Sequence, residues 1–293
     1  MSLSLTMFSH LVIASLAATV AADCSRDFLT AATNTYLVAQ ITGRNSTVAA
    51  FAATNVSYTE NNRPMDIMTG TLSRPMKIDF TRSAHDTVRC ATFTEIIAAS
   101  NPHPYVIHTR MEFANQKASR VESVVTDDGD WLFNATGTLQ LNAMEQWAPI
   151  PEAQRDSRAT IQAAGDAYFD RFGNVSVSVP WGPPCVRVEG GLPARGTLNG
   201  SDCEMVWPST IHVPYRRYVV DETLGVVDIF VGFPGLDRTQ GNDAMPDSHE
   251  FRVEGGKIRY LHTASACVTD GCGLNGTTFG KRWHGSVRRA RLH

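Results

Sequence analysis

The chain has 293 residues, with 26 Lys and Arg against 29 Asp and Glu and 43% hydrophobic residues. That is enough for one large domain or two small ones, each with a core. A low charged fraction with ordinary Gly and Pro excludes long disordered stretches, coiled coil and collagen, and the mildly acidic balance gives no reason to expect nucleic acid.

Leu11 to Ala21 is an apolar run too short for a permanent anchor, and Val20-Ala21-Ala22 is a small-residue cleavage pattern. The expectation is a signal peptide over residues 1–22, a mature start at Asp23, and a protein in the secretory lumen or outside the cell with no membrane anchor. Sequons at Asn45, Asn55, Asn134, Asn174, Asn199 and Asn275 agree with export. So do six cysteines, Cys24, Cys90, Cys185, Cys203, Cys267 and Cys272, which read as three disulfides. Neighbourhood favours Cys24–Cys90, Cys185–Cys203 and Cys267–Cys272. No second cysteine pair or clustered His accompanies the last of these, so no metal site is expected.

Ser25 to Ile41 is predicted helical from Phe28, Ala32, Tyr36 and Ala39, with Gly43 as the stop. Strands are expected over Asn55–Glu60, Arg89–Ile97, Tyr105–Phe113 and Ala118–Val125, with a turn at Asn115-Gln116. In the third strand Ile107, Thr109, Met111 and Phe113 share a face opposite His108, Arg110 and Glu112. Trp147-Ala148-Pro149-Ile150-Pro151 punctuates the chain. A second helix over Arg158–Phe172 follows, with Asp156 as its cap and Gly173 as its stop. Strands return over Arg216–Val220, Val226–Phe233, Ser248–Glu254 and Lys257–Thr263, the last two joined at Gly255-Gly256.

Ala31 to Tyr36 parallels Ala163 to Tyr168, and Glu112-Phe113 with Lys117 parallels Glu250-Phe251 with Lys257, given two extra residues in the second hairpin. The order predicts a diverged duplication: an α+β chain with halves at 23–150 and 151–280 and a basic tail at 281–293. In each half a helix would back a strongly curved antiparallel sheet, whose open end can form an apolar pocket.

Ala163-Ala164-Gly165-Asp166-Ala167-Tyr168-Phe169 and the hairpin Phe251 to Arg259 resemble the SnoaL-like, or NTF2-like, superfamily. A group of fungal secreted proteins is similar over about residues 23–273. The shared stretches are Cys24 to Leu29, Asp128-Gly129-Asp130-Trp131, Arg155 to Arg158, Arg217 to Glu222, Gly232 to Asp237 and Met245 to His249. The resemblance implies two tandem NTF2-like cones. It also implies kinship with hetero-Diels–Alderases that dehydrate a hydroxymethyl tropolone to a quinone methide and join it to humulene.

No nucleophile elbow, His-Glu-x-x-His helix, phosphate loop or Rossmann fingerprint is present. His249, alternating with Phe251, and His262, alternating with Tyr260, are expected to share the apolar face of the last hairpin and supply the general acid. Arg216 and Tyr218 would hold a developing oxygen charge. Asp228, between Val227 and Ile229, needs solvent or a partner. Tyr260, Phe251, Phe233 and Trp207 would wall the pocket. The expected partner is an apolar or phenolic small molecule, with no organic cofactor and a homodimer as one allowed assembly. A non-enzymatic secreted carrier or cell-surface protein is the competing reading.

Overall fold

The computed structural model describes residues 24–193, 203–205, 207–234 and 244–268. The expected signal peptide, Asn199, Cys272, Asn275 and the basic tail lie outside the described residues.

The first helix, α1 (Arg26–Thr42), begins where extended Ser25 accepts a hydrogen bond from the Phe28 amide. It ends at Gly43, left-handed at φ 60°, whose N–H donates to the Ala39 carbonyl. A short α2 (Asn45–Phe51) leads into β1 (Ala52–Glu60) and β2 (Arg63–Pro64). Then come β3 (Phe80–Asp86), β4 (Ala91–Ala98), β5 (Tyr105–Ala114) and β6 (Lys117–Thr126). A linker carries α3 (Ala135–Asn142). The second half opens with α4 (Arg158–Arg171), capped by Ser157 rather than Asp156, whose carboxylate instead accepts from the Gly256 amide at 2.9 Å. It continues through β7 (Trp181–Glu189), β8 (Leu192–Pro193), β9 (Arg217–Asp221), β10 (Val226–Phe233), β11 (Met245–Glu254) and β12 (Lys257–Ser265).

The two six-stranded sheets have one topology: β2-β1-β6-β5-β4-β3 and β8-β7-β12-β11-β10-β9. In each, the first long strand pairs in parallel with the last, and the other pairings are antiparallel. The last hairpin turns on two residues with positive φ in both halves, Asn115-Gln116 and Gly255-Gly256. Just before each turn lies a β-bulge, at Glu112/Phe113 and at Arg252/Val253. The hairpins are thus equal in length, and Phe113 corresponds to Val253, which corrects the expected alignment of Glu112-Phe113 with Glu250-Phe251.

Each helix covers one face of its own sheet. Leu29 and Tyr36 pack with Ile96, Ile107, Met111 and Phe113; Ile161, Tyr168 and Phe169 pack with Val227, Ile229, Phe251 and Leu261. The other faces pack on each other, Ala84, Phe93, Ile97 and Val106 against Val219, Val226, Phe230 and Ala264. The face with His108 and Arg110 is therefore buried between sheets rather than wet. Neither sheet is strongly curled.

Cys24–Cys90 ties the start of α1 to the turn before β4, and Cys185–Cys203 ties β7 to the segment that carries Met205. Cys267 is also disulfide-bonded. Among the described residues no helix is long and apolar enough to cross a membrane.

Candidate functional site

Two-residue alternation along β12 would put His262 on the face of Ile258. The bulge breaks that parity: Val253 pairs with Ile258, but Arg252 pairs with Tyr260, leaving Arg259 as the extra residue. His262 consequently stands opposite Glu250, and His249 opposite Thr263. The two imidazoles face opposite sides of the sheet, which corrects the expectation that they share one wall.

His249 lies on the α4 side. The rings of Phe169, Tyr168, Phe251 and Phe233 surround it at 4.9, 5.2, 6.0 and 6.5 Å. Its Nδ1 is 3.1 Å from a carboxylate oxygen of Asp247, which is fully buried. The Ser265 hydroxyl donates to the other oxygen at 2.6 Å. The two atoms are within ion-pair distance but are not aligned for a hydrogen bond, so a buried ring nitrogen and a buried carboxylate oxygen stand side by side at the edge of the aromatic group. These groups border a cavity of about 20 Å³ lined by Trp131, Tyr168, Glu189, Met205, Phe233 and His249, among others. The expected oily pocket is therefore largely filled by protein, and what remains has room for one water-sized group.

On the same floor Arg187 grips one oxygen of Glu189 at 2.8 Å and donates to the Cys203 carbonyl at 3.1 Å. The Tyr168 hydroxyl is pushed above its ordinary range, first by burial, with Arg187 opposing and Glu189 and Asp247 adding to the rise. It is a neutral O–H in the field of all three.

The repeat shows which half carries this chemistry. Register places Ile107, Thr109 and Val125 of the first half where the second has Asp247, His249 and Ser265. In the first half Tyr36 donates to Thr109 at 2.8 Å, and Glu60, the counterpart of Glu189, is bound by Tyr58 and by the amide and hydroxyl of Thr71. There the polar side chains bond one another.

A second polar cluster occupies the layer between the sheets. Arg82 donates to Glu95 at 2.7 Å, to Glu250 at 3.0 Å and to Asn142 at 2.6 Å, and its guanidinium lies 3.6 Å from the Trp147 ring centre. His262 reaches Glu95 with Nδ1 at 3.1 Å and Glu145 with Nε2 at 2.8 Å. Burial alone would discharge this imidazole, but Glu145 and Glu95 outweigh it and lift its pKa to about 10. Burial would likewise raise Glu95, but Arg82 and His262 hold it well below the carboxylate range. Glu95, Glu250 and His262 have metal-ligand spacing, within 4.8 Å of one another, but Arg82 stands among them and supplies the positive charge a cation would bring. Asp228 belongs to this layer too: it accepts from Ser248 at 2.7 Å, and burial drives its pKa well up despite that bond.

The remaining expected residues have settled partners. Arg216 and Tyr218 both bond Asp166 of α4 at 2.8 Å, so neither is aimed at a ligand oxygen. Tyr260 sits on the Arg252 side of β12, tilted against Trp147 at 5.3 Å, outside the cavity. Trp207 packs edge-on to Phe172 and Tyr168 at the cavity's margin, Phe233 is a buried wall of the cavity, and Phe251 is buried beside His249 without lining it. Asn45, Asn55 and Asn174 are exposed, whereas Asn134 is half-buried and caps α3 through the Gly137 amide. Sequence reasoning missed Asp247, Glu189 and Arg187; for Asp247, a charge two residues before His249 on one strand face was the available signal.

Residues 154–265 match a family described as a domain of unknown function (DUF8021). The match lies within the second half, where the His249 cavity is. No curated protein matches the chain.

Proposed function

We propose that the chain is a secreted proton-transfer enzyme that eliminates water from a hydroxylated, otherwise apolar substrate. The observation that carries this reading is the His249–Asp247 pair at the edge of an aromatic, nearly dry cavity. With Asp247 beside its Nδ1, the protonated imidazole can give its Nε2 proton to a leaving hydroxyl. The cavity has room for a hydroxyl, and the apolar walls suppress rehydration of the product.

The repeated topology, with a helix on one face of each sheet and a parallel first-to-last strand pair, supports reading each half as NTF2-like, the first half having kept the frame without the chemistry. The finer reading follows the resemblance: a hydroxymethyl tropolone loses water to a quinone methide, which adds to a humulene-type sesquiterpene by proximity and shape. The disulfides and the leader-like start of the chain support export.

The test is incubation of the purified protein with a hydroxymethyl tropolone, with and without humulene, against an uncatalysed control. Accelerated loss of water that disappears in His249→Asn and drops in Asp247→Asn is the expected result. Saturable binding with no turnover would turn the reading into that of a carrier, and neither binding nor turnover would end both.

A further inference from the structure

An imidazolium that protonates the leaving hydroxyl completes only half of an elimination, because a second group must take a proton from the substrate. The sheet places one candidate on the same floor. His249 pairs with Thr263 across β11 and β12, and Thr263 pairs with Glu189 across β12 and β7. The three residues form one row over three adjacent strands, so the backbones of His249 and Glu189 stand about 10 Å apart, two strand spacings. All three line the cavity of about 20 Å³. Glu189 is 6% exposed, its Oε1 is held by Arg187 at 2.8 Å, and it lines the cavity with His249.

Resting on the elimination reading above, we infer that Glu189 is the catalytic base opposite His249, and that the site acts on substrates bearing an acidic O–H or C–H conjugated to the carbon that loses hydroxide. Glu189 Oε2 takes that proton. The freed electron pair moves through the conjugated system to form the new double bond, the carbon–oxygen bond breaks, and the departing hydroxyl receives the Nε2 proton of His249. The products are the unsaturated compound and one water. Glu189 is left protonated and His249 neutral, and the proton returns across Thr263 or through the released water. Arg187 pairs with one end of the row and Asp247 lies beside the other, so the floor sets a carboxylate and an imidazole on opposite sides of Thr263. The first half shows the contrast. Its counterpart Glu60 has both oxygens bonded, and the position of His249 is Thr109.

The experiment compares the pH dependence of kcat/KM for dehydration of a hydroxymethyl tropolone by the wild-type chain, Glu189→Gln, Glu189→Asp and Arg187→Gln, with melting curves to establish folding. General-base removal predicts a loss of about 100-fold or more in Glu189→Gln, with the acidic limb of the profile gone, and partial recovery in Glu189→Asp. Arg187→Gln retains the carboxylate, so it keeps more activity than Glu189→Gln and shifts the acidic limb upward. If Glu189→Gln and Arg187→Gln lose activity equally and both keep the limb, Glu189 only pairs with Arg187 and the inference is overturned while the elimination reading stands. A wild-type chain without turnover overturns both.

Discussion

Asp86 and Asp221 hold the same place in the two halves, and each accepts the guanidinium of the other half's opening helix. Arg158, the first residue of α4, donates to Asp86 at 2.7 Å; Arg26, the first residue of α1, donates to Asp221. The Asp86 carboxylate also accepts from the Val220 amide at 3.0 Å, and that of Asp221 from the His85 amide at 2.9 Å. Each closes its own turn, Asp86 through the amides of Val88 and Arg89 and Asp221 through those of Thr223 and Leu224. Reciprocal contacts of this kind are what two-fold symmetry imposes on a homodimer interface. Here they join two halves of one chain, and they hold the sheets in the face-to-face register that buries Arg82 and His262.

Both aspartates are essentially inaccessible to solvent. Removing one leaves a partly exposed arginine and several amides without an acceptor, so Asp86→Ala and Asp221→Ala should each cost roughly 2–4 kcal/mol. The double variant should lose less than the sum, because the two carboxylates serve one shared seam. Urea unfolding of the four proteins measures this. Strict additivity would show that the two contacts are independent.

Much of this frame was legible. The spacing of Ala32, Tyr36 and Ala39, the stop at Gly43, the hairpin turns and the Cys185–Cys203 pairing follow from local chemistry, which is short-ranged and written in nearby residues. Strand β7 was hidden because Pro183 and Pro184 argue against a ladder. Strand β3 was hidden because Arg82 and Asp86 look like a wet face until the opposite half covers them. The placement of His262 was lost to one extra residue, Arg259, since a bulge inverts every later side chain. The partnership of Arg82 with Glu250, 168 residues away, has no local signature at all.

The protonated His262 makes stability depend on pH in a defined direction. Its folded pKa of about 10 lies above the unfolded value of 6.5, so the stabilisation is complete below about pH 6.5 and fades as pH rises toward 10. The melting temperature should fall across that window. In His262→Gln it should be lower at neutral pH and flatter between pH 7 and 10. Parallel curves for the two proteins would show that the imidazole is neutral in the fold.

The Cys185–Cys203 bridge has a job beyond its loop. It fixes Cys203, whose carbonyl accepts from Arg187, and two residues on is Met205 in the cavity wall. Replacing both cysteines with Ser should cost about 2–4 kcal/mol in chain entropy. It should also raise the exchange rate of the amides around Met205 while those around the first-half core, near Met111, stay protected. Hydrogen exchange followed by mass spectrometry separates the two effects, and equal protection at Met205 in both proteins would remove the wall-fixing role.

Met205 is where the cavity can be widened most cheaply. Phe233 is almost wholly buried and stacks within the aromatic group around His249, so Phe233→Ala should cost roughly 3–5 kcal/mol and disturb the site itself. Met205 is only partly buried, on an unbranched side chain that adapts to its surroundings, and nothing else in the cavity wall combines those properties. Truncation to Ala should enlarge the space beside His249 with a smaller loss of stability. Calorimetric titration with tropolone should then show tighter binding in Met205→Ala than in the wild-type chain, and the added His249→Asn change should weaken it again. If tropolone binds Met205→Ala and the wild-type chain equally, Met205 does not limit access and the substrate must approach His249 from another side.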